Sequence, residues 1–269
     1  MGSIDDESPT GQRTLQIEQT DQIARITLDR PEQLNTITPT MLDELATAVD
    51  SLNADTDVRC LLVTGAGDRA FSAGADLSVL TDEMDAIAGT ELARKGQQTF
   101  GTLDACETPV VAAIDGVCLG GGMELAAVAD LRIAAAGATF GQPEHDLGLL
   151  PGWGGTQRLS ALIGESRAKE IIFTANRYPA SEMANVGFLA GVVDEKNLQA
   201  EAMELAEQVA AGPPLAQRYT KRAMRAGRDD TDAGLEIEAH AFGQLLDSED
   251  FARGVDAFER GTEPDFIGE

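Results

Sequence analysis

The sequence predicts an α/β fold that ends in a helical C-terminal portion. Three continuous apolar runs of strand length, at residues 58–64, 109–116 and 131–136, are typical of strands buried on both faces of a sheet. Segments with helical periodicity separate these runs, and the chain from about residue 198 onward shows only helical patterns. Strands that alternate with helices favour an α/β or layered β/α arrangement.

The N-terminal elements follow from alternation and capping signals. Residues 13–18 and 22–28 alternate apolar and polar side chains, which predicts an antiparallel hairpin. Thr38 is placed to cap a helix and Pro39 to occupy its first position. We therefore expect a helix from about residue 39 to 53.

The middle and C-terminal elements are less sharply marked. Residues 65–77 read as a loop, and a helix begins at the glycine triplet 120–122. Further helices are predicted at 82–104, 156–163 and 166–174, and Gly-Pro-Pro at 212–214 interrupts the C-terminal helical region.

Length and composition bound the number of domains. With 269 residues, 43% of them hydrophobic, the chain can bury the core of one large domain or of one domain with a small appendage. We divide it into a disordered acidic tail at 1–12, a core at 13–197 and a helical region at 198–269.

The charge is the unusual bulk property. The chain has 46 acidic residues against 20 lysines and arginines, a net charge of −26. A surface of this sign repels nucleic acid, whose binding needs clustered basic residues. Because the acids are spread along the whole chain, we hypothesise a protein adapted to molar salt, where the Debye length falls to about 3 Å. The alternative is an ordinary acidic enzyme.

The sequence also argues against several other classes of protein. No uninterrupted apolar run reaches the roughly 20 residues of a membrane-spanning helix, and the acidic N-terminus does not resemble a secretory signal. Three cysteines without a C-x-x-C pair, and two distant histidines at 145 and 240, argue against a disulfide framework and a structural metal site. A cytoplasmic location is the default expectation.

Two short motifs suggest chemistry that the context does not support. Gly65-x-Gly67-x-x-Ala70 follows a strand, but a loop rather than a helix comes next, so a dinucleotide site is disfavoured. Gly116-x-Cys118-x-Gly120 resembles a nucleophile elbow, yet neither histidine is flanked by a recognisable triad loop. A small buried thiol is the alternative interpretation of Cys118.

The backbone of the glycine triplet is the stronger candidate. Peptide N–H groups between a buried strand and a helix lack intrahelical partners and favour an anion. The second glycine-bearing loop, "AFSAGADL" at 70–77, could direct another N–H to the same point. Two such donors would form an oxyanion hole. The alternative is that these glycines only permit close packing.

Three ordered blocks resemble those of one known family, the crotonase superfamily and in particular enoyl-CoA hydratase. They are "AFSAGADL" (70–77), "GVCLGGGMELAAVADLRIA" (116–134) and "FGQPEHDLGLLPGWGGTQRL" (140–159). The similarity covers nearly the whole chain from about residue 14, and its last matching segment is "SEDFARGVDAFER" at 248–260. It implies the crotonase (ClpP-like) fold, a spiral of ββα units. It also implies a helical C-terminal region that covers the active site and assembles the chain into trimers or hexamers.

The resemblance implies a set of functional residues. The oxyanion donors map onto the N–H groups of Ala75 and Gly121, and the two catalytic glutamates onto Glu124 and Glu144. It also places a further group against an acyl-CoA thioester substrate: Arg69, Ala73, Asp76, Leu77 and Gly152. No separate cofactor and no metal are implied.

The presence of both glutamates favours water addition to a 2-trans-enoyl-CoA. That reaction needs a base for water and an acid for the α-carbon, whereas the alternative, a Δ3,Δ2-enoyl-CoA isomerase, generally uses one glutamate. Glu124 is expected to activate water and Glu144 to supply the proton. A catalytically silent CoA-binding relative is a further alternative. Fatty-acid β-oxidation and amino-acid breakdown both stay open as pathways.

The sequence supports secondary expectations for several other residues. Gln142 is expected to bond Glu144, His145 to be a loop residue, and Trp153 either to shape the acyl pocket or only to pack. The family often has a lysine where this chain has Ser78. We therefore expect Arg69, or arginines between 218 and 228, to meet the CoA phosphates.

Overall fold

The computed structural model describes residues 13–80 and 84–269, which form two sheets surrounded by helices. The strands are β1 (Leu15–Thr20), β2 (Ile23–Leu28), β3 (Cys60–Gly65), β4 (Ala70–Ser72), β5 (Val110–Ile114), β6 (Val117–Leu119), β7 (Leu131–Ala135), β8 (Thr139–Gly141), β9 (Tyr178–Pro179) and β10 (Gly191–Val193). The predicted tail at 1–12 and the start of the helix predicted from residue 82 lie outside these residues.

Ten α-helices accompany the strands within the described residues. They are α1 (Pro39–Ala54), α2 (Ala86–Ala105), α3 (Gly121–Ala126), α4 (Gly155–Ile163), α5 (Glu165–Thr174), α6 (Ala180–Asn185), α7 (Leu198–Ala210), α8 (Pro214–Gly227), α9 (Thr231–Leu245) and α10 (Glu249–Arg260). Short 3₁₀ helices cover Pro31–Gln33, Leu77–Val79, Pro143–Leu147 and Glu195–Asn197. No helix in this part of the chain combines the length and the apolarity that crossing a bilayer requires.

The two sheets arise from a repeated ββα unit. The larger sheet has the order β1-β2-β3-β5-β7-β10 and the smaller one β4-β6-β8-β9. In three successive units the first strand (β3, β5, β7) joins the larger sheet and the next (β4, β6, β8) joins the smaller sheet before the chain enters a helix. This arrangement confirms the spiral of ββα units and the α/β class.

The strands of the larger sheet confirm the hairpin and the buried runs. β1 and β2 pair antiparallel from Leu15 opposite Leu28, and the pairs from β2 through β10 are all parallel. β5 is buried at every residue, as expected for a strand covered on both faces.

The prediction of a loop over the whole of residues 65–77 was wrong at residues 70–72. Residues 70–72 form β4, which pairs parallel with β6, and β8 and β9 complete a second sheet that the sequence did not predict. Strands of two or three residues cannot establish the alternation of side chains on which a strand prediction rests. The smaller sheet depends on tertiary pairing.

The core lies on both faces of the larger sheet. Alternate residues of β3 divide between two clusters: Leu61 and Val63 face the one shared with the smaller sheet, and Cys60 and Leu62 face the one covered by α7. Ala202, Ala206 and Ala210, spaced four apart, give α7 a stripe of small side chains on that face. The proposed boundary at 198 coincides with the start of α7 and stays a prediction.

Helix boundaries follow the capping signals. The Thr38 hydroxyl accepts a hydrogen bond from the Met41 amide at 3.1 Å, so α1 begins as predicted. Asp85 caps α2, which places its start about four residues after the predicted one. Pro214 occupies the first position of α8, after the predicted interruption.

Candidate active site

The segment around Ala75 leaves one peptide N–H free. The Gly74 carbonyl accepts from the Ile37 amide at 2.8 Å, and the Asp76 amide donates to the Ile37 carbonyl at 3.0 Å. Because successive N–H groups of an extended chain point to opposite sides, the Ala75 N–H is directed away from Ile37. Within the described residues it donates to no acceptor.

The amide of Gly121 lies beside this segment. Gly121 is the first residue of α3 and has no intrahelical acceptor, and its N–H likewise donates to none in the part of the chain described. A Cβ atom on Gly121 would lie 3.4 Å from the Ala75 nitrogen, and a Cβ atom on Gly74 would lie 3.2 Å from the Gly121 nitrogen. The two loops therefore place two free N–H groups next to each other.

Glu124 is held in a buried position by the loop that precedes α4. Its side chain is 2% exposed, and its Oε1 accepts hydrogen bonds from the amides of Trp153 at 2.8 Å and Gly155 at 2.7 Å. Burial raises the pKa of Glu124 to about 7, although both amide bonds and the charge of Arg158 act in the opposite direction. A Cβ atom on Gly155 would lie 3.0 Å from the carboxylate, so glycine permits this approach.

Glu144 lies over the glycine triplet, and the charge of Glu124 affects its pKa. A Cβ atom on Gly120 would lie 3.0 Å from Glu144 Oε1, which places this carboxyl group beside the Gly121 amide. Burial, and then the charge of Glu124, raise the pKa of Glu144 to about 7. With both pKa values raised to about 7, the two carboxyl groups change protonation state close to neutral pH.

Gln142 contacts Glu144, as the sequence analysis expected. One end of its buried side-chain amide lies 3.0 Å from Oε1 and 3.1 Å from Oε2 of Glu144. With its NH₂ group there it donates to the carboxylate, and with its carbonyl there it can accept from the protonated acid. Gln142 can therefore follow Glu144 through both protonation states.

Trp153 packs directly against the two-donor site. Its indole is 5% exposed, and a Cβ atom on Gly121 would lie only 2.4 Å from the ring. The ring also stacks edge-on against Phe100, with centroids 5.6 Å apart. Arg158 donates to the Trp153 carbonyl at 3.0 Å and fixes the loop from the other side.

An ion pair that the sequence analysis did not anticipate fixes the Ala75 loop. Arg30 Nη1 lies 2.8 Å from Asp76 Oδ2 and donates to the Thr36 carbonyl at 2.7 Å. Hydrogen bonds from Ser78 and Arg30 lower the pKa of Asp76 to about 2. The carboxylate of Asp76 is thus engaged by protein groups on both oxygens.

The remaining predicted substrate-binding residues border these loops in different ways. The Ala73 amide donates to the Leu34 carbonyl at 2.9 Å, and the Gly152 carbonyl accepts from Gln97 Nε2 at 2.9 Å. Leu77 is 54% exposed, and Arg69 is also exposed. The binding roles of these residues stay predictions.

The structure disfavours the two competing motifs. Cys118 is fully buried, and burial raises the pKa of its thiol far above its usual range, which makes it a poor nucleophile. Gly65-x-Gly67-x-x-Ala70 leads into β4 and not into a helix, so it lacks the phosphate-binding helix start. His145 is exposed and stacks on Phe173 at 5.7 Å.

Candidate metal ligands do not gather anywhere in residues 13–80 and 84–269, where no three His, Cys, Asp or Glu side chains could hold one ion. The site itself brings together two carboxyl groups, which can transfer protons, and two free peptide N–H groups, which can stabilise a negative charge.

Sequence reasoning missed the amides of Trp153 and Gly155 as partners of Glu124. The motif "PGWGG" is visible in the sequence, but nothing in it shows which carboxylate its amides bind. It also missed Arg30, whose partner Asp76 lies 46 residues away.

Known proteins resemble this chain over most of its length. Residues 18–269 match the family described as Enoyl-CoA hydratase/isomerase. The chain is 39% identical over 243 residues to the short-chain-enoyl-CoA hydratase of Clostridium acetobutylicum, covering 90% of this chain and 93% of the relative. It is 38% identical over 252 residues to the crotonyl-CoA hydratase of Syntrophomonas wolfei, covering 93% and 96%.

The fold agrees with these relatives. The crystal structure of an enoyl-CoA hydratase from Bacillus anthracis superimposes with a TM-score of 0.91 at 36% identity, covering 96% of this chain and 100% of that one. Both the sequence match and the shared crotonase fold span nearly the whole chain. The chain belongs to the enoyl-CoA hydratase/isomerase family.

Proposed function

We propose that this protein is an enoyl-CoA hydratase, a hydro-lyase that reversibly adds water to a 2-trans-enoyl-CoA and gives the 3-hydroxyacyl-CoA. One observation carries the proposal: the buried carboxyl group of Glu124 and the half-buried one of Glu144, each with its pKa raised to about 7, lie beside two free peptide N–H groups. Relatives named as hydratases of short enoyl-CoA thioesters support the same reaction.

In this mechanism the N–H groups of Ala75 and Gly121 bind the thioester oxygen. When a hydroxyl group adds to the β-carbon, the electrons of the double bond move onto that oxygen as an enolate. Two fixed donors stabilise the developing charge without reorganisation, and removing one such donor typically costs about 10²- to 10³-fold in rate.

The two glutamates divide the proton transfers. Two amide donors on Oε1 favour the ionised form of Glu124, so Glu124 acts as the base that takes a proton from water. Glu144, next to that negative charge, retains its proton and delivers it to the α-carbon. The product gains one water molecule in all, and a proton passing from Glu124 to Glu144 restores the starting state.

The reaction is tested by following crotonyl-CoA at its enone absorbance. Hydration consumes the conjugated double bond, so the absorbance falls to an equilibrium value and the 3-hydroxyacyl product appears. Conversion of 3-enoyl-CoA to 2-enoyl-CoA without hydration would instead identify an isomerase. Absence of turnover on every enoyl-CoA would identify a silent binding protein.

Arg30 is expected to act as a positioning residue for the Ala75 donor. Without its bond to Asp76 the loop is free to shift, and a misplaced donor weakens only the transition state. We expect Arg30→Ala to lower kcat about tenfold with KM changed less than about twofold, and Arg30→Lys to recover part of the loss.

A matched control is Arg167→Ala, which removes an ion-pairing arginine of α5 whose side chain, like that of Arg30, is 21% exposed. That variant should retain the wild-type kcat. A rise in KM with unchanged kcat for Arg30→Ala would contradict the positioning role and indicate direct binding of the substrate.

We expect exposed arginines to bind the CoA phosphates. Lys221 on α8 pairs with Asp130 at 2.6 Å, and Arg228, the residue after α8, pairs with Asp104 at 2.8 Å. Arg222 pairs with Glu107. Phosphate binding by Arg69, or by arginines of α8 outside these pairs, stays a prediction.

Salt is expected to improve substrate binding. The net charge is −26 and CoA is itself polyanionic, so salt screens a repulsion between them. We expect KM for the CoA substrate to fall, and the free energy of unfolding to rise, between low salt and molar KCl. A KM that stays flat or rises, with full stability at low salt, would contradict adaptation to salt.

The C-terminal helices are proposed to bind a second copy of this chain. α8, α9 and α10 border an apolar groove of about 550 Å³, and Phe242, Phe251 and Phe258 along it are 68%, 47% and 86% exposed. A trimer or hexamer, as the family resemblance implies, would cover them. We expect Phe258→Asp to lower the molar mass measured by light scattering; a monomeric wild type would contradict the assembly.

We also propose that the protein is located in the cytoplasm. All three cysteines, Cys60, Cys106 and Cys118, are buried and unpaired, as is usual for proteins of a reducing compartment.

A further inference from the structure

We propose that the indole of Trp153 closes the acyl end of the active site and restricts the enzyme to short enoyl-CoA thioesters. This inference rests on the proposed hydratase function and adds a substrate class to it. In this proposal, chains of four to six acyl carbons are favoured over chains of about ten or more by roughly tenfold in kcat/KM.

The ring fills a slot between two helices. A Cβ atom on Gly96 of α2 would lie 2.2 Å from the indole, and a Cβ atom on Gly121 of α3 would lie 2.4 Å from its opposite edge. Real side-chain atoms do not approach this closely, so glycine is required on both helices to admit the ring. The indole thus occupies the whole width between α2 and α3 at this level.

The ring contributes volume and shape, not a hydrogen bond. Its N–H group donates to no protein acceptor within the described ranges and is not one of the buried unsatisfied donors there, so it keeps some accessible surface. Phe100 packs edge-on against it at 5.6 Å and holds its orientation. Because Gly96, Gly121 and Phe100 pack closely around the ring, it has little room to move away from a longer substrate.

The position of this wall is set by the same atoms that bind the reacting groups. The ring borders Gly121, whose N–H group binds the thioester oxygen in the proposed mechanism. The Trp153 amide donates to the carboxylate of Glu124, which activates the water that adds to the β-carbon. When the thioester oxygen and the β-carbon are held in this way, the acyl carbons beyond the β-carbon follow the surface formed by Gly121, Glu124 and Trp153. The indole is the bulky group there.

Shortening this side chain should therefore open the slot to longer chains. Trp153→Leu and Trp153→Ala retain the backbone amide that bonds Glu124 but remove most of the ring. We expect kcat/KM for a C10 enoyl-CoA, relative to that for crotonyl-CoA, to rise at least about tenfold in each variant. The wild type should favour C4 and C6 over C10 substrates by a similar factor.

A core aromatic away from the slot is the control for general loosening. Phe188 is fully buried and packs against Phe140 at 5.8 Å, so Phe188→Leu removes similar core volume elsewhere. Thermal unfolding of all variants is measured beside the kinetics. The control should lose stability without changing the ratio of C10 to C4 activity.

The outcomes separate this inference from the proposed function. A wild type that hydrates no enoyl-CoA at all overturns the function itself. A wild type that hydrates C4 and C10 equally well overturns the inference alone, even if neither Trp153 variant folds. Folded Trp153 variants that retain C4 activity but gain nothing on C10 also overturn it.

Discussion

Replacing Glu124 or Glu144 by glutamine lowers kcat for the hydration of crotonyl-CoA by at least about 100-fold in each case. Glutamine keeps the size of the side chain but can neither take a proton from water nor give one to the α-carbon. Because the two acids act as a unit, the double variant should be little worse than the poorer single variant.

The pH dependence distinguishes the two roles. A base must be ionised, so wild-type activity should fall as the pH drops below neutrality, and an acid must be protonated, so activity should also fall as the pH rises above it. Residual activity in Glu124→Gln should lose the acidic limb, and that in Glu144→Gln the alkaline limb. Wild-type activity in Glu124→Gln would contradict the two-acid mechanism.

Stability gives an independent check on the burial of Glu124. Its pKa is raised from 4.5 to about 7 on folding, so the folded protein binds the proton more tightly than the unfolded chain. Wild-type stability should therefore be lost as the pH rises through this window. Glu124→Gln removes the effect and should gain up to about 3 kcal/mol relative to wild type at pH 8, and little at pH 4.

Gly121→Ala is expected to lower kcat by about 100-fold, an effect comparable to loss of one oxyanion donor. The added methyl group would meet the Trp153 ring at 2.4 Å and the Ala75 nitrogen at 3.4 Å. The Gly121 peptide must therefore move away from Ala75, and the two N–H groups no longer share one oxygen. KM should change less than kcat, because the donors act mainly on the transition state.

Two further variants test this explanation. Gly89→Ala lies in α2 with nothing within 4 Å of the new atom, so it should keep full activity and gain slightly in stability. Adding Trp153→Leu to Gly121→Ala removes the clash and should restore part of kcat. Failure of this second change to restore any activity would show that the methyl group acts by another route.

Much of the fold could be predicted because its signals are local. The buried runs that became β3, β5 and β7, and the Thr38-Pro39 start of α1, each depend on residues within one element. The smaller sheet could not be predicted, because β4, β6 and β8 have three residues each and exist only through pairing with one another.

Some features of the candidate site could likewise be predicted from the sequence, and others could not. Glu124, Glu144 and the glycine loops carry local sequence patterns, so they could be named from the sequence and its family resemblance. The Arg30–Asp76 pair and the amide bonds to Glu124 join residues 46 and about 30 positions apart, with no periodic signal. The sequence also left Trp153 undecided between packing and shaping the pocket, because only the fold shows that it lies between Gly96 and Gly121.

The most direct test of the account is a crystal structure of this protein with an unreactive acyl-CoA thioester bound. We expect the thioester oxygen to lie within about 3.1 Å of both the Ala75 and Gly121 nitrogens, and one water molecule to contact both glutamates over the β-carbon. A thioester oxygen that contacts neither nitrogen, or glutamates on opposite sides of the substrate without a shared water, would contradict it.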